Sequence, residues 1–331
     1  MKDKIVDRPG WQDKAFPIAF TISTGFMLLY VFLGLMGVIP SLEPGAVIGE
    51  PSRWCERVSS SMFREPVNAL SNLGFMITGL LMFWVLSKDV RSADSNQFHG
   101  LTPISMLYAG AAIYLGPGSM LMHGTHTDWG QWADNLSMVM YILLPWLINV
   151  KEMGRWSVKT FFTVYIAIVL VDGLMRWFDF SIGIDLFGLS IGLWCISEAL
   201  YRFWSPLFRW LSGLVGFVVC AVFGIFPTEI IAEFDKYWWV LLFWIPALLS
   251  PQAPRYRRKY SPWFFAGQAS YLIAFSIWLT GVPDSSYCDP DRFFQAHGIW
   301  HVLSAVATWC FFMFLRTEKK YNKKKLSLFI K

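Results

Sequence analysis

The sequence has little charge. Only 15% of its 331 residues are Asp, Glu, Lys or Arg, whereas soluble globular domains carry about 25%. This shortage argues against a water-soluble protein. The formal net charge of +5 comes from basic loops that alternate with acidic ones along the chain. It therefore indicates membrane topology, and it gives little support to nucleic-acid binding.

Other features that the sequence lacks narrow the range of possible fold classes. The chain has no evident soluble domain, low-complexity linker or clear internal repeat, and no strand-like alternation suggests a transmembrane barrel. Instead, 55% of the residues are hydrophobic and 18% are aromatic. Several apolar runs approach or exceed the ~20 residues that cross a bilayer as a helix. The sequence predicts an all-α, polytopic transmembrane helical bundle, with residues 1–331 forming a single integral membrane domain.

About ten transmembrane spans are predicted from the apolar runs. Basic and acidic loops alternate between them, so the positive-inside rule places both termini in the cytoplasm, with a basic tail over 317–331. The loop before the second span is the exception, because Arg53, Arg57 and Arg64 lie there among Glu50, Glu56 and Glu65. The predicted spans are Pro17–Pro40, Pro66–Leu86, Leu101–Met122, Leu136–Val150, Phe161–Met175, Ile184–Leu200, Leu211–Phe226, Tyr237–Leu249, Trp263–Leu279 and Ile299–Leu315.

The five cysteines fall into two groups. Cys195, Cys220 and Cys310 lie inside predicted spans, where cysteine usually serves as a small packing residue. Cys55 and Cys288 both lie in loops predicted to face outward. Oxidising conditions on that side would allow a disulfide between them, and the sequence leaves open whether it forms.

Polar residues gather at the predicted outer ends of several spans. The second span begins REPVNALSN, which places Glu65, Asn68 and either Ser71 or Asn72 along one helix face. The third span ends with Ser119 and His123, four residues apart, and Asp134 opens the next span. The last span begins with a second pair at the same spacing, His297 and His301. Ionisable groups at this depth are costly, so we expect them to face one another inside the protein.

Three neutral imidazoles with an open fourth position are the usual ligands of a catalytic zinc ion. Such an ion activates water as a nucleophile. Asp134 could then transfer protons, and Ser119 could donate a hydrogen bond to a developing oxyanion. The predicted zinc ligands are His123, His297 and His301.

Each of these residues also has a simpler interpretation. A histidine pair at this spacing could hydrogen-bond helices together, and Ser119 could be a small packing residue. Asp134 could cap the N-terminus of its helix. His126 and His99 fall at loop positions and are predicted to be solvated.

The motifs resemble the alkaline ceramidase family, within the CREST superfamily of zinc-dependent membrane hydrolases. That superfamily has a serine four residues before its first histidine, an aspartate eleven residues after it, and a late HxxxH. Ser119, His123, Asp134, His297 and His301 match this pattern. The resemblance implies a seven-helix core, to which this chain adds about three spans. Residues 1–50 would then be an extra span and outer loop, and 51–316 a ceramidase-like region with inserted helices.

The N-terminal signature of ceramidases is also present, as WCE at 54–56 and EPVNALSN at 65–72. In animal alkaline ceramidases such residues surround a calcium ion. Here Arg53 stands where the family has an aspartate, and Val58 where it has an asparagine. A guanidinium would oppose calcium, which needs six to eight oxygen ligands. These departures make calcium doubtful. The signature positions expected near the centre are Trp54, Glu56, Glu65, Asn68 and Ser71.

The resemblance implies a membrane hydrolase of sphingolipid type, which would cleave the amide bond of ceramide-like or other N-acyl lipids and release a fatty acid. Two alternatives stay open. The same zinc site could cleave esters of phospholipids, or the protein could be a non-catalytic lipid sensor that keeps zinc as a structural clip. The expected partner is a membrane lipid, and the zinc site would face the outer side of the membrane.

Overall fold

The computed structural model describes residues 10–38, 42, 47–92 and 95–320. Their regular structure is almost entirely helical, apart from two strands of two residues, β1 (Tyr256–Arg257) and β2 (Lys319–Lys320). A 3-10 helix covers Trp238–Trp244. The α-helices are α1 (Gln12–Leu35), α2 (Pro66–Ser71), α3 (Leu73–Lys88), α4 (Pro103–Thr125), α5 (Asp128–Met153), α6 (Val158–Trp177), α7 (Leu186–Phe203), α8 (Pro206–Leu211), α9 (Leu214–Val222), α10 (Pro227–Ala232), α11 (Phe234–Tyr237), α12 (Ile245–Leu249), α13 (Trp263–Trp278) and α14 (Ala296–Arg316).

Six helical segments among these residues are long and apolar enough to cross a membrane. One of them joins α2 and α3, and the others are α1, α4, α5, α6 and α14. On α1, side chains such as Leu28, Leu29 and Phe32 are exposed, as expected of a helix that faces lipid. The prediction of a polytopic, all-α integral membrane protein is confirmed.

The seventh and eighth predicted spans, Leu211–Phe226 and Tyr237–Leu249, are wrong as continuous helices. In the first, α9 has only nine residues and would rise about 14 Å, about half of a ~30 Å hydrocarbon core. It ends before Gly224, whose φ is +84°. In the second, the 3-10 helix gives way to α12, whose second residue is Pro246. Glycine and proline interrupt helices that apolar composition alone would extend.

One compact unit comprises the described parts of Met1–Ser137 together with Arg258–Lys320. Within it, α14 packs along α13 and α3, and α3 packs on α4. Small residues permit close approach of membrane helices. A methyl group at Gly118 would lie 2.5 Å from Ser137 Cβ, so only glycine allows α4 to meet α5 so closely there. That contact lies directly beside Ser119.

Local signals determine where α4 begins and ends. Thr102 and Ser105 form a reciprocal capping box, with bonds of 3.1 Å from Ser105 N to Thr102 Oγ1 and 2.9 Å from Thr102 N to Ser105 Oγ. Pro103 then occupies the first helical position, where its missing N–H costs nothing. At the other end His126 adopts a left-handed conformation with φ 50°, and its N–H donates to Met122 O at 2.9 Å. The left-handed residue ends the helix and turns the chain.

The second compact unit includes Met138–Arg257. Two of its acidic side chains, the exposed Asp185 and the buried Glu198, have local structural partners. Asp185 caps α7 by accepting hydrogen bonds from Phe187 N and Gly188 N, both at 3.1 Å. Asn149 donates to Glu198 Oε2 at 3.0 Å. These contacts give the acidic groups roles in helix capping and helix–helix bonding.

Candidate metal centre

Three histidines converge inside the first compact unit. His123 comes from the last turn of α4, and His297 and His301 come from the first two turns of α14. All three are buried, and one ring nitrogen of each lies within 4.8 Å of the others. The Nε2 atoms of His123 and His297 are 3.0 Å apart. The spacing of four residues on α14 places both of its rings on one helix face, which points toward α4.

Hydrogen bonds to the outer ring nitrogens determine which nitrogens face the centre. His123 Nδ1 contacts the Glu65 carboxylate, which can only accept, so the imidazole donates. His301 Nδ1 lies 2.8 Å from Ser71 Oγ. The Ser71 hydroxyl itself donates to Asn68 O at 2.8 Å, so it accepts from His301. The proton of each ring is therefore on Nδ1, and the Nε2 lone pairs of His123 and His301 are free to bind an ion.

The donor set fits a divalent metal ion. Lone pairs on imidazole nitrogens 3.0 Å apart repel each other unless a proton or a cation lies between them. Zn–N bonds of about 2.0–2.1 Å in tetrahedral geometry place neighbouring ligand nitrogens about 3.3 Å apart, which is close to the separation of His123 and His297. Within the described residues, these three histidines are the cluster of His, Cys, Asp and Glu side chains that could hold an ion.

Ser119 and Asp134 lie beside the three imidazoles. Ser119 Oγ is 3.5 Å from His301 Nε2, and its side chain hydrogen-bonds the Asp134 carboxylate. Both residues are buried. The interpretation of Asp134 as an N-cap is wrong, because α5 begins at Asp128 and Asp134 lies in its second turn. The structure thus brings together all five residues predicted to form the centre.

His126 is a member of this network that the sequence did not reveal. The prediction that it is solvated is wrong, because its ring is buried and Nε2 donates to Glu65 Oε1 at 2.9 Å. The left-handed turn at the end of α4 brings the ring back toward Glu65. His99, also predicted to be solvated, is half-buried, with Nδ1 3.3 Å from Asn96 Oδ1.

Glu65 is the fully buried carboxylate that orients this network. It accepts hydrogen bonds from His123, from His126 and, at 3.1 Å, from Asn68 Nδ2. Burial alone would raise the pKa of Glu65, but its electrostatic interactions and hydrogen bonds with His123 and His126 outweigh burial and hold the pKa well below its ordinary value. An ionised carboxylate behind a ligating histidine increases the basicity of that ligand.

We therefore expect Glu65→Gln to weaken metal binding. Glutamine keeps one acceptor oxygen but removes the negative charge behind His123, and loss of such a supporting carboxylate typically costs 10- to 100-fold in metal affinity. Competition of the purified protein with a chelator for Zn²⁺ measures the change. The exposed Glu50 provides a matched control, since Glu50→Gln should leave the affinity unchanged. Equal affinities for the two variants would show that Glu65 does not support the centre.

Three of the signature residues have protein partners in the structure. Both carboxylate oxygens of Glu56 accept backbone N–H groups at the start of α2, from Val67 at 2.7 Å and Asn68 at 2.8 Å. Glu65 is occupied by two histidines, as described above. The ring of Trp54 stacks on that of His297, with 4.2 Å between centroids. Hydrogen bonds and ring stacking thus engage Trp54, Glu56 and Glu65 with protein groups.

The loop that carries Trp54 is fastened to the segment before α14. Cys55 and Cys288 form a disulfide in the structure, and Arg57 N donates to Pro290 O at 3.1 Å. The Arg57 guanidinium binds both carboxylate oxygens of Asp291 at 2.7 Å, and this bond lowers the pKa of Asp291 below its ordinary value. These links hold Trp54 over His297.

The fold and the site define a multi-pass membrane protein with a buried three-histidine centre that could bind a metal ion. The chain belongs to the ceramidase family, because the family model described as Ceramidase matches residues 51–329. The predicted resemblance to alkaline ceramidases is thereby confirmed. The matched range contains every residue of the centre and begins after α1. A comparison with curated proteins finds no match.

Proposed function

We propose that this protein is a zinc-dependent intramembrane hydrolase that cleaves the amide bond of ceramide-like or other N-acyl lipids. The observation that carries the proposal is the convergence of three buried imidazole nitrogens within 4.8 Å. Membership of the ceramidase family supports an amide lipid as the substrate. The products would be a free fatty acid and a lipid that bears an amine.

His123, His297 and His301 would hold the zinc ion, and three neutral nitrogen ligands suit zinc with one position left open. When bound, zinc supplies Lewis-acid chemistry: it polarises a carbonyl group and acidifies water. The supporting bonds from Glu65 and Ser71 keep the rings of His123 and His301 oriented. Ordered ligands of this kind reduce the reorganisation needed during the reaction.

Asp134 and Ser119 would perform the proton transfer and charge stabilisation. The carboxylate of Asp134 would accept a proton from the attacking water and deliver it to the amine nitrogen as the C–N bond breaks. The hydroxyl of Ser119, between Asp134 and His301 Nε2, would donate a hydrogen bond to the oxygen of the scissile carbonyl as negative charge develops there. Burial of both groups strengthens these interactions.

The membrane arrangement that best fits this function places the centre near the outer surface, with both termini in the cytoplasm. The alternation of basic and acidic loops supports this orientation, and the disulfide between Cys55 and Cys288 suits an oxidising compartment. We also propose a seven-helix core to which about three segments are added. The added parts are an N-terminal region over 1–50 and inserted helices within 51–316. A basic tail follows over 317–331. Lipid would enter sideways from the outer leaflet.

Hydrolysis of matched fluorescent lipids tests the proposal. The purified protein, loaded with zinc, is incubated with N-acyl and O-acyl lipids that carry the same acyl chain, and we expect fatty acid release from the amide. Cleavage of the ester alone would replace the proposal by a phospholipid esterase. Retention of zinc without hydrolysis of either lipid would favour a lipid-sensing protein with a structural ion.

A further inference from the structure

Arg53 is an exposed cation with weak protein partners. Its guanidinium donates to Gln131 Oε1 at 3.3 Å, contacts Met122 Sδ at 3.7 Å and lies 5.2 Å from the centroid of the Trp54 ring. These contacts, all among described residues, include no carboxylate. Arg57, four residues later in the same loop, instead binds both oxygens of Asp291.

The contacts of Arg53 place it at the mouth of the metal centre. Met122 directly precedes His123 on α4, and Gln131 lies one turn before Asp134 on α5. Trp54, under the guanidinium, stacks on His297. The charge of Arg53 accordingly acts on both Asp134 and His297. A positive group therefore stands between solvent and the buried residues of the centre.

We propose that Arg53 binds an anionic phosphate group on the head of the lipid, so that the preferred substrate is an acidic N-acyl lipid. This inference rests on the proposed hydrolase function. A guanidinium can donate two parallel hydrogen bonds to two phosphate oxygens. A phosphate group would readily displace the amide of Gln131 and the thioether of Met122. The acyl carbonyl would lie deeper, near Ser119, while the headgroup remains at the mouth with Arg53. The fatty acid carboxylate, formed at the buried centre, would not reach the guanidinium.

Hydrolysis of two lipids that differ only in the headgroup tests this assignment. Ceramide and its 1-phosphate have the same amide and acyl chain. We expect Arg53→Gln to lower kcat/KM for the phosphate lipid by about 10- to 100-fold, the effect of losing a charge-assisted hydrogen bond, with little change for neutral ceramide. Arg53→Lys should restore part of the lost kcat/KM, because lysine keeps the positive charge but cannot form the paired hydrogen bonds of the guanidinium. Arg292→Gln, an exposed charge change on a neighbouring loop, should have no such effect.

A binding measurement separates failure of this inference from failure of the proposed hydrolysis. Dodecyl phosphate and dodecyl maltoside share an alkyl chain, and neither contains an amide. We expect Arg53→Gln to weaken the binding of dodecyl phosphate about tenfold or more and to leave the binding of dodecyl maltoside unchanged. This result would support the inference even if no lipid were hydrolysed. Equal binding of dodecyl phosphate by wild type and Arg53→Gln would overturn it. If Arg53→Gln changed only the inhibition by free fatty acid, the anion that Arg53 binds would be the reaction product. That result would also overturn the inference.

Discussion

Replacing His301 by alanine is expected to abolish both metal binding and hydrolysis. The wild-type protein should contain about one zinc ion per chain, and the variant should contain only a small fraction of that amount. His301 Nε2 faces the centre because Ser71 accepts the proton on Nδ1, and the nearby imidazole of His126 is bonded to Glu65 instead. Loss of the ion removes several kcal/mol of transition-state stabilisation, a rate decrease on the order of 10³-fold or more.

The measurement pairs metal analysis of the purified variant with the lipid hydrolysis assay. His99→Ala is the matched control, since that ring is only half-buried and its bond to Asn96 Oδ1 is 3.3 Å long. It should keep both the zinc and the activity. A variant that unfolds would be uninformative by itself, so we would also remove the ion from the wild type with a chelator. Added Zn²⁺ should restore the wild type only. About one zinc per chain in His301→Ala would refute the ligand assignment.

The sequence predicted the centre because helical spacing carries most of its geometry. A separation of four residues puts Ser119 and His123 on one face of α4, and His297 and His301 on one face of α14. The high cost of ionisable groups within a membrane then requires these faces to meet. The structure brings them together as expected, with His123 and His297 in direct contact through Nε2.

The environment of the centre was less predictable, because it depends on loop conformation. His126 reaches Glu65 only through the left-handed turn at the end of α4, and periodicity does not report such a turn. The position of Arg53 between α4 and α5 likewise depends on the path of an irregular loop. Hydrogen-bond partners of this kind follow from backbone dihedral angles that residue types restrict only weakly.

The seventh and eighth predicted spans were wrong because a stretch can be apolar throughout without forming one continuous helix. Residues 211–249 are rich in large apolar side chains, and hydropathy sums their contributions without regard to order. Continuity instead depends on single residues: the stretch is divided at Gly224, whose φ is positive, and at Glu233, which has a non-helical backbone between α10 and α11. In contrast, α4 tolerates Pro117 within its 23 residues. Membrane helices often accept proline, because neighbouring helices satisfy the freed carbonyl group.

Replacing Asp134 by asparagine is expected to reduce hydrolysis while leaving the metal in place. Asparagine has nearly the same shape and can still hydrogen-bond Ser119, but it cannot take up a proton from water. Removing a positioned general base typically costs about 10²- to 10⁴-fold in rate. Zinc content should stay at about one per chain, since the three histidines and Glu65 are unchanged. This separation of binding from catalysis distinguishes Asp134 from His301.

Asp128→Asn is the matched control, because it makes the same isosteric change at an exposed position in the first turn of α5. Its activity should equal that of the wild type. If Asp134→Asn lost zinc as well as activity, the carboxylate would be part of the metal-binding set and the assigned proton transfer would need another group. If Asp134→Asn kept both, Asp134 would have a packing role only, and the hydrolase proposal would lose its proton acceptor. Retention of zinc with loss of turnover is therefore the result that links this buried carboxylate to the cleavage of the lipid amide.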